Sequence, residues 1–563
     1  MMFRFISYWI IATVAIFASM PAAITQMINE SQIPSSAISI YIKESGKWGK
    51  TIVSHNAQVP RKPASVIKIA TTYAALLKLG SGYRWKTQVY TNGRIRSGVL
   101  EGDLIVKGGG DPALGNDDVA KIANYIKAQG IHTIKGNIVI DRTKFNVPPQ
   151  SSARFDNYPY SPYNALPDAM MFNENTTKIT ITPSRGRFSV SQSFDDKSVK
   201  IVNNLTPVST PCKGAQSWPK ININQSAFPS VVTLQGQLST RCPQRDHVHI
   251  VTRSYYAFYY ALRNGLKKEG VGVSGGLKFA PLPKGAKKLF AYHSKPLSEI
   301  IATTNKNSNN LFARQIFLTL GAKVYNAPST LESSRKAMKE ILSRSGIAGA
   351  NSLQADNGSG LSRSASSTAI AFGALLEHAY SRYKHEWLQT LAIAGVDGTI
   401  KTRFTAQRNR AWMKTGTIKG VRNIAGYVQD NSGKVYIVVL LIESGHQRGA
   451  WLQDRIIGWV ANGASQGSRV KSAIAKTTSA TTPIATQAQA PSGNYYIQVA
   501  SFRKEPNKSF LDKISSHHLR YTIYATPQGK KLLIGPYKTQ NEAKNALPSI
   551  RQNLELNAFI VTW

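Results

Sequence analysis

A chain of 563 residues with 42% hydrophobic and 18% charged residues is too apolar for a disordered polymer and long enough for several domains with real cores. Its 70 Lys and Arg against 29 Asp and Glu leave a formal charge of +41. Two cysteines exclude both a disulfide scaffold and a four-thiolate metal site.

In chain order, Arg4, the apolar run Tyr8 to Ala18 and the small residues around Pro21, Ala22 and Ala23 read as a secretory signal peptide, placed at residues 1–25. The run is shorter than the roughly 20 residues a membrane span needs, and no later segment is longer, so an exported product is expected, tethered at most by its N-terminus. Export removes nucleic acid from the expected partners of the positive charge. Anionic envelope polymers or membrane surfaces remain, beside a generally basic proteome that needs no partner. Outside the cytoplasm Cys212 and Cys242 either pair or stay as buried thiols.

Ala64 to Leu79 carries a helical pattern after Pro63. Tyr83 to Pro283 then shows short strands such as TQVYTNG, GDLIVKGG, GNIVID, KITITPS, VVTLQG and HVHIV, punctuated by Gly and Pro. Leu297 to Leu320 is helical with an interruption at Asn305 to Asn310, and IAGYVQ and VYIVVLLI are strands joined by the turn Asp430 to Gly433. Ala464 to Ala490, rich in Ser, Thr, Ala and Gln and without an aromatic or an acid, reads as a flexible linker. The following 70 or so residues order as β-α-β-β-α-β. The expected layout is a mixed α/β protein: a catalytic part in two pieces (26–80 and 291–463) around a large, mostly β insertion (81–290), a linker (464–491) and a small domain (492–563).

Chemistry enters at Ser65-Val66-Ile67-Lys68, which places a hydroxyl and an amine on one helix face. A lysine whose pKa is lowered by burial and neighbouring positive charge can accept the serine proton. The spacing alone is weak, since Ser333 to Lys336 and Ser468 to Lys471 repeat it. Its company is more telling: Ser308-Asn309-Asn310 lies on the helix interruption, and Lys414-Thr415-Gly416 opens a strand, in the order of the serine acyl-transfer set Ser-x-x-Lys, Ser-x-Asn, Lys-Thr-Gly. The ten histidines are scattered and read as surface or packing groups rather than as part of a Ser-His triad, and Gly108 to Gly110 lacks the Lys-Ser/Thr of a phosphate loop.

On these residues, and on GGGDP (108–112), GNIVIDRTKF (136–145), DNGSGLSR (356–363) and AGVDGTIKTRF (394–404), the chain from about 30 to 462 resembles the low-molecular-mass class C penicillin-binding proteins. These are the D-alanyl-D-alanine carboxypeptidase/endopeptidases of the penicillin-binding protein 4 type. The separation of 243 positions from Ser65 to Ser308 resembles that family's habit of inserting domains there; the middle motif departs only in reading Ser-Asn-Asn. The resemblance implies a serine β-lactamase/DD-peptidase-like fold without metal or cofactor. It implies an acyl-enzyme on Ser65 with Lys68 as base, Ser308 as proton relay, Asn310 holding Lys68 or the substrate amide, and Lys414 facing the substrate carboxylate. Thr415 and Thr417 would donate hydroxyls, Gly416 would let the substrate lie against the strand, and the N–H groups of Ser65 and Thr417 would hold the oxyanion. It further implies a pocket for the zwitterionic end of diaminopimelate, with Asp141 on the ammonium, Arg363 on the carboxylate, and Leu361 and Ile418 as the apolar wall.

The last segment, through YYIQVASF (495–502) and LLIGPYKTQNEAKNAL (532–547), resembles the SPOR domain, a unit that binds peptidoglycan glycan strands stripped of stem peptides. Gln498, Ser501 and Tyr537 would sit on or beside its binding face. The implied whole is a periplasmic, septum-enriched DD-carboxypeptidase/endopeptidase acting on D-Ala-D-Ala and D-Ala-diaminopimelate bonds, with stem peptides, denuded glycan and β-lactam antibiotics as partners. The alternatives are a β-lactamase and a catalytically weak wall-binding protein.

Overall fold

An unbroken run such as Val435–Ile442 can be a strand only if both of its faces are buried. The computed structural model describes residues 20–148, 152–184, 186–464, 495–502, 510–511, 514, 519, 521–526, 529–537, 539–554 and 558–562. It divides into two units, Met1–Gln466 and Gly467–Trp563. The frame of the first consists, in chain order, of helix α1 (Ala22–Ser31), strands β1 (Ile38–Glu44) and β2 (Thr51–His55), helices α2 (Lys68–Leu79), α3 (Asn310–Tyr325) and α4 (Ala369–Leu388), strands β3 (Ala392–Ile393), β4 (Ala411–Ile418), β5 (Val421–Gln429) and β6 (Val435–Ile442), and helix α5 (Gly449–Ala461).

The strands form one antiparallel sheet in the order β3-β4-β5-β6-β1-β2, so the N-terminal β1 pairs with β6 along its whole length. Alternation along β6 sends Ile437, Val439 and Leu441 into one core with Tyr73 of α2 and Phe372 of α4. Tyr436, Val438, Leu440 and Ile442 enter the other, with Ile24 and Ile28 of α1 and Ile456 of α5. The sequence boundary at residue 25 therefore needs correction: Ile24 is fully buried and Met20 packs on the same core, so residues 20–25 belong to the folded unit.

Between α2 and α3 the chain builds further sheets. Strands Leu277–Phe279, Ile138–Asp141, Leu104–Lys107, Lys86–Thr91 and Lys287–His293 form a five-stranded sheet. Helices Asn116–Ala128 and Ser254–Lys268, which the short-strand reading passed over, share its core through Ile122, Phe258 and Leu262. Two three-stranded sheets within residues 177–249 share another core. There the cysteine alternative resolves: Cys212 and Cys242 form a disulfide. Closing a loop of 30 residues contributes about 3 to 4 kcal/mol in the chain-entropy account.

In the second unit, four antiparallel strands run in the order Tyr521–Thr526, Gly529–Tyr537, Tyr495–Phe502, Phe559–Thr562. Helix Gln540–Asn553 covers one face, with Ala543 and Ile550 against Ile497, Val499, Leu532 and Ile534. The linker from residue 465 onward lies outside the described residues.

Candidate active site

The turn into α2 places the first pair of groups. Ala64 adopts φ 46°, a left-handed value uncommon for a residue with a Cβ. A single 3₁₀ turn, Ala64–Ile67, then runs straight into α2, so Ser65 sits in the turn and Lys68 opens the helix. Lys68 is fully buried, with Nζ 2.8 Å from Ser65 Oγ, 2.7 Å from Asn310 Oδ1 and 2.5 Å from the Ser359 carbonyl oxygen. None of these partners is a carboxylate. Burial, then the charges of Lys414 and Arg314, hold the Lys68 amine well below its ordinary pKa. A neutral amine fits the three partners: its two N–H bonds point to Asn310 and Ser359, and its lone pair to Ser65.

The second pair comes from the helix interruption and the sheet edge. Ser308, at φ 56°, links helix Leu297–Lys306 to α3. Asn309 caps α3 by accepting the Phe312 N–H at 3.0 Å, and its Nδ2 donates to Glu174 at 2.7 Å. Glu174 lies in a run of three left-handed residues, Asn173 to Asn175, an outlier of the kind that gathers at functional sites. Lys414, fully buried on β4, places Nζ 2.9 Å from Ser308 Oγ and 2.7 Å from the Thr415 carbonyl oxygen, and burial pushes its pKa down to about 7. Two lysine–serine pairs thus face one cleft, and Asn310 touches one of them.

Close backbone approach sets the walls. A Cβ on Gly416 would lie 2.9 Å from Pro63 O and Val66 N, so β4 runs directly against the Ser65 turn. Gly360, at φ 78°, lets the 356–363 loop reach the same turn, where a Cβ would meet Ala64 O at 1.9 Å. Thr415 donates to Thr399 at 2.8 Å, and Thr417 is exposed on the strand.

Beside this cleft lies a cavity of about 530 Å³ lined by Leu361, Arg363, Phe155, Asn164, Asn175 and Arg314, among others. The Arg363 guanidinium stands 5.0 Å over the Phe155 ring. The expectation for Asp141 fails. Its side chain is fully buried, with Oδ1 accepting from the Thr143 N–H and hydroxyl and Oδ2 from the Leu282 N–H, 3.2 Å from Lys107. Asp156, which does not itself line the cavity but lies close enough to Arg363 to feel its charge, accepts from the Tyr158 N–H, the Tyr163 hydroxyl and Asn164 Nδ2 at 3.0, 2.9 and 2.8 Å. Partial burial raises its pKa, but those hydrogen bonds and the Arg363 charge outweigh it and hold the group below the usual carboxylate range. The carbonyl of Tyr163 accepts the Asn310 amide at 3.0 Å, so one inserted segment joins the cleft to the cavity. Ile418 is half-buried at the hairpin end of β4 and does not line the cavity. Sequence reasoning missed Asp156, Phe155, Ser359 and Arg314. Arg314 left a signal, four residues after Asn310 on the same helix face, and Ser359 lies within the matching stretch 356–363.

In the C-terminal unit, Gln498 alternates with Ile497 and Val499, which turn to the core, and so belongs to the sheet face away from the helix. Tyr537 is partly buried against the core of this unit, and burial raises its pKa. The side chain of Ser501 lies outside the described residues.

Comparison with known proteins follows the same division. The family described as D-Ala-D-Ala carboxypeptidase 3 (S13) matches residues 20–463, and the SPOR domain matches residues 491–562. The D-alanyl-D-alanine carboxypeptidase DacB of Haemophilus influenzae is 26% identical over 432 residues, 73% of this chain and 86% of that protein. A D-alanyl-D-alanine carboxypeptidase of an Actinomadura species is 26% identical over 478 residues, 79% of this chain and 85% of that protein. The crystal structure of penicillin binding protein 4 from H. influenzae aligns with a TM-score of 0.65 at 22% identity, covering 78% of this chain and 99% of that one. The likeness carries the mixed α/β fold of that protein.

Proposed function

Because this chain belongs to the D-Ala-D-Ala carboxypeptidase 3 (S13) family and carries a C-terminal SPOR domain, we propose that it hydrolyses D-Ala-D-Ala and cross-linking D-Ala-diaminopimelate bonds of peptidoglycan through an acyl-enzyme on Ser65. The observation that carries this reading is the buried, carboxylate-free contact of Lys68 Nζ with Ser65 Oγ at 2.8 Å. The neutral Lys68 amine takes the Ser65 proton as Oγ bonds to the carbonyl carbon of the penultimate D-Ala. The oxyanion forms toward the N–H groups of Ser65 and Thr417, which preorganised donors stabilise without reorganisation. As the C–N bond breaks, the leaving amine receives a proton through Ser308, itself 2.9 Å from Lys414 Nζ. Water then adds to the ester and returns Ser65 with its proton.

Lys414, while charged, pairs with the carboxylate of the leaving residue, and Asp156 and Arg363 pair with the ammonium and carboxylate of the diaminopimelate side chain. A β-lactam would acylate Ser65 by the same attack. The SPOR domain would tether the enzyme to denuded glycan in the periplasm, at the division septum. Digestion of purified muropeptide monomers and cross-linked dimers tests the reading. Both should lose their bonds to the wild-type protein and neither to Ser65→Ala; a Ser65→Ala protein that still cleaves would contradict it.

A further inference from the structure

The cavity beside the cleft is larger than one side-chain end requires. At about 530 Å³ it has the volume of a pocket for a whole small ligand. Its charges do not balance. Arg142 is paired with Asp168, and Arg335 with Asp356 at 2.8 Å. Arg154, Arg253 and Arg363 also line it, all three exposed, and none has a carboxylate within ion-pairing distance among the described residues. If Arg363 and Asp156 take the diaminopimelate zwitterion, three guanidinium groups are left over: Arg314, buried and donating to the Ala165 carbonyl, and the exposed Arg154 and Arg253.

Their positions say what they face. Arg154 directly precedes Phe155 and Asp156, and Arg253 precedes helix Ser254–Lys268, whose Tyr255 lies under the Arg142 guanidinium at 3.7 Å. The two therefore come from different inserted segments and converge on one cavity. In its lining, Asn175 is buried and its Oδ1 accepts no hydrogen bond from any described protein group.

In a stem peptide the residue before diaminopimelate is a glutamate joined through its γ-carboxyl, which leaves an α-carboxylate free. We propose that Arg154 and Arg253 form a second carboxylate subsite, which reads that α-carboxylate and so distinguishes free from α-amidated stem peptides. This rests on the acyl-enzyme reading above and extends it by one substrate residue. Guanidinium forks match a carboxylate in geometry as well as charge, whereas a carboxamide offers them one neutral acceptor and adds two donors of its own.

The test compares two D-Ala-D-Ala-ending stem peptides that differ only in this group, γ-linked D-glutamate against its α-carboxamide. Rates are normalised to active sites counted by bound penicillin. The wild-type protein should favour the free acid in kcat/KM by roughly fivefold to tenfold, and the preference should shrink with added salt, as for a solvent-exposed charge contact. Arg154→Ala and Arg253→Ala should each bring the ratio toward one, and Arg→Lys at the same positions should keep part of it. A wild-type ratio of one, or a ratio unchanged in both alanine variants, overturns the subsite while leaving the acyl-enzyme reading intact. A wild-type protein that binds no penicillin overturns that reading and this inference with it.

Discussion

At the scale of single residues, the chemistry turns on two lysines with no carboxylate among their hydrogen-bond partners. Burial and mutual repulsion favour the neutral form of Lys68, which is needed as the base, so activity rises as pH passes upward through its depressed pKa. Lys414, at about 7, must be charged to hold a substrate carboxylate, so that contribution fades as pH rises past its pKa. The profile of kcat/KM on a D-Ala-D-Ala peptide should therefore be bell-shaped, with an alkaline limb near 7 that belongs to the coupled pair. Acylation by a β-lactam whose carboxylate is esterified should lack that limb; an identical limb on both substrates would remove Lys414 from carboxylate binding. For the side pocket, Asp156→Ala should lower turnover of diaminopimelate peptides about tenfold or more relative to acylation by a simple β-lactam, from the loss of a charge-assisted contact. Equal losses on both would show a structural role. Ser65, Lys68, Ser308, Asn310 and Lys414 were legible in the sequence because the motif order fixes them. Asp141 misled because the family resemblance carried it over by position alone. That the N–H groups of Thr143 and Leu282 and the charge of Lys107 saturate it is a tertiary fact.

At the scale of elements, periodicity found what is locally complete and missed what is completed elsewhere. The run Val435–Ile442 announced a strand buried on both faces. Nothing local announced that β1, nearly 400 residues earlier, would be its neighbour. The helices at 116–128 and 254–268 were overlooked inside a segment punctuated by Gly and Pro, where short strands dominate the eye. The expected signal segment, residues 1–25, overlaps the first turn of α1 because the residues there are small and apolar, yet Ile24 in that turn packs into the core on one face of the sheet. Ile24→Ala, at a fully buried position, should cost about 2 to 4 kcal/mol, as for other large-to-small core changes. Denaturant unfolding of the first unit measures it. A loss under about 0.5 kcal/mol, the ordinary range for a surface change, would mean that α1 is not part of the folded core.

At the scale of the whole molecule, the division into two units followed from composition alone, since a segment of 27 residues without an aromatic or an acid cannot bury a core. The net charge of +41 says little by comparison, because basic residues are spread along the chain. Deletion from Ala464 onward should leave penicillin acylation nearly unchanged and abolish binding to glycan strands lacking stem peptides, as read by co-sedimentation. The C-terminal unit would act by effective concentration. A truncated protein that still sediments with such strands would place glycan binding in the first unit. The catalytic outcomes depend on one bond, the ester at Ser65. The most direct measurement is peptide mapping by mass spectrometry after incubation with benzylpenicillin. The account predicts one penicilloyl group per chain, on the peptide that contains Ser65, and none in the Ser65→Ala protein. An unmodified chain, or an adduct on another serine such as Ser333, would contradict it.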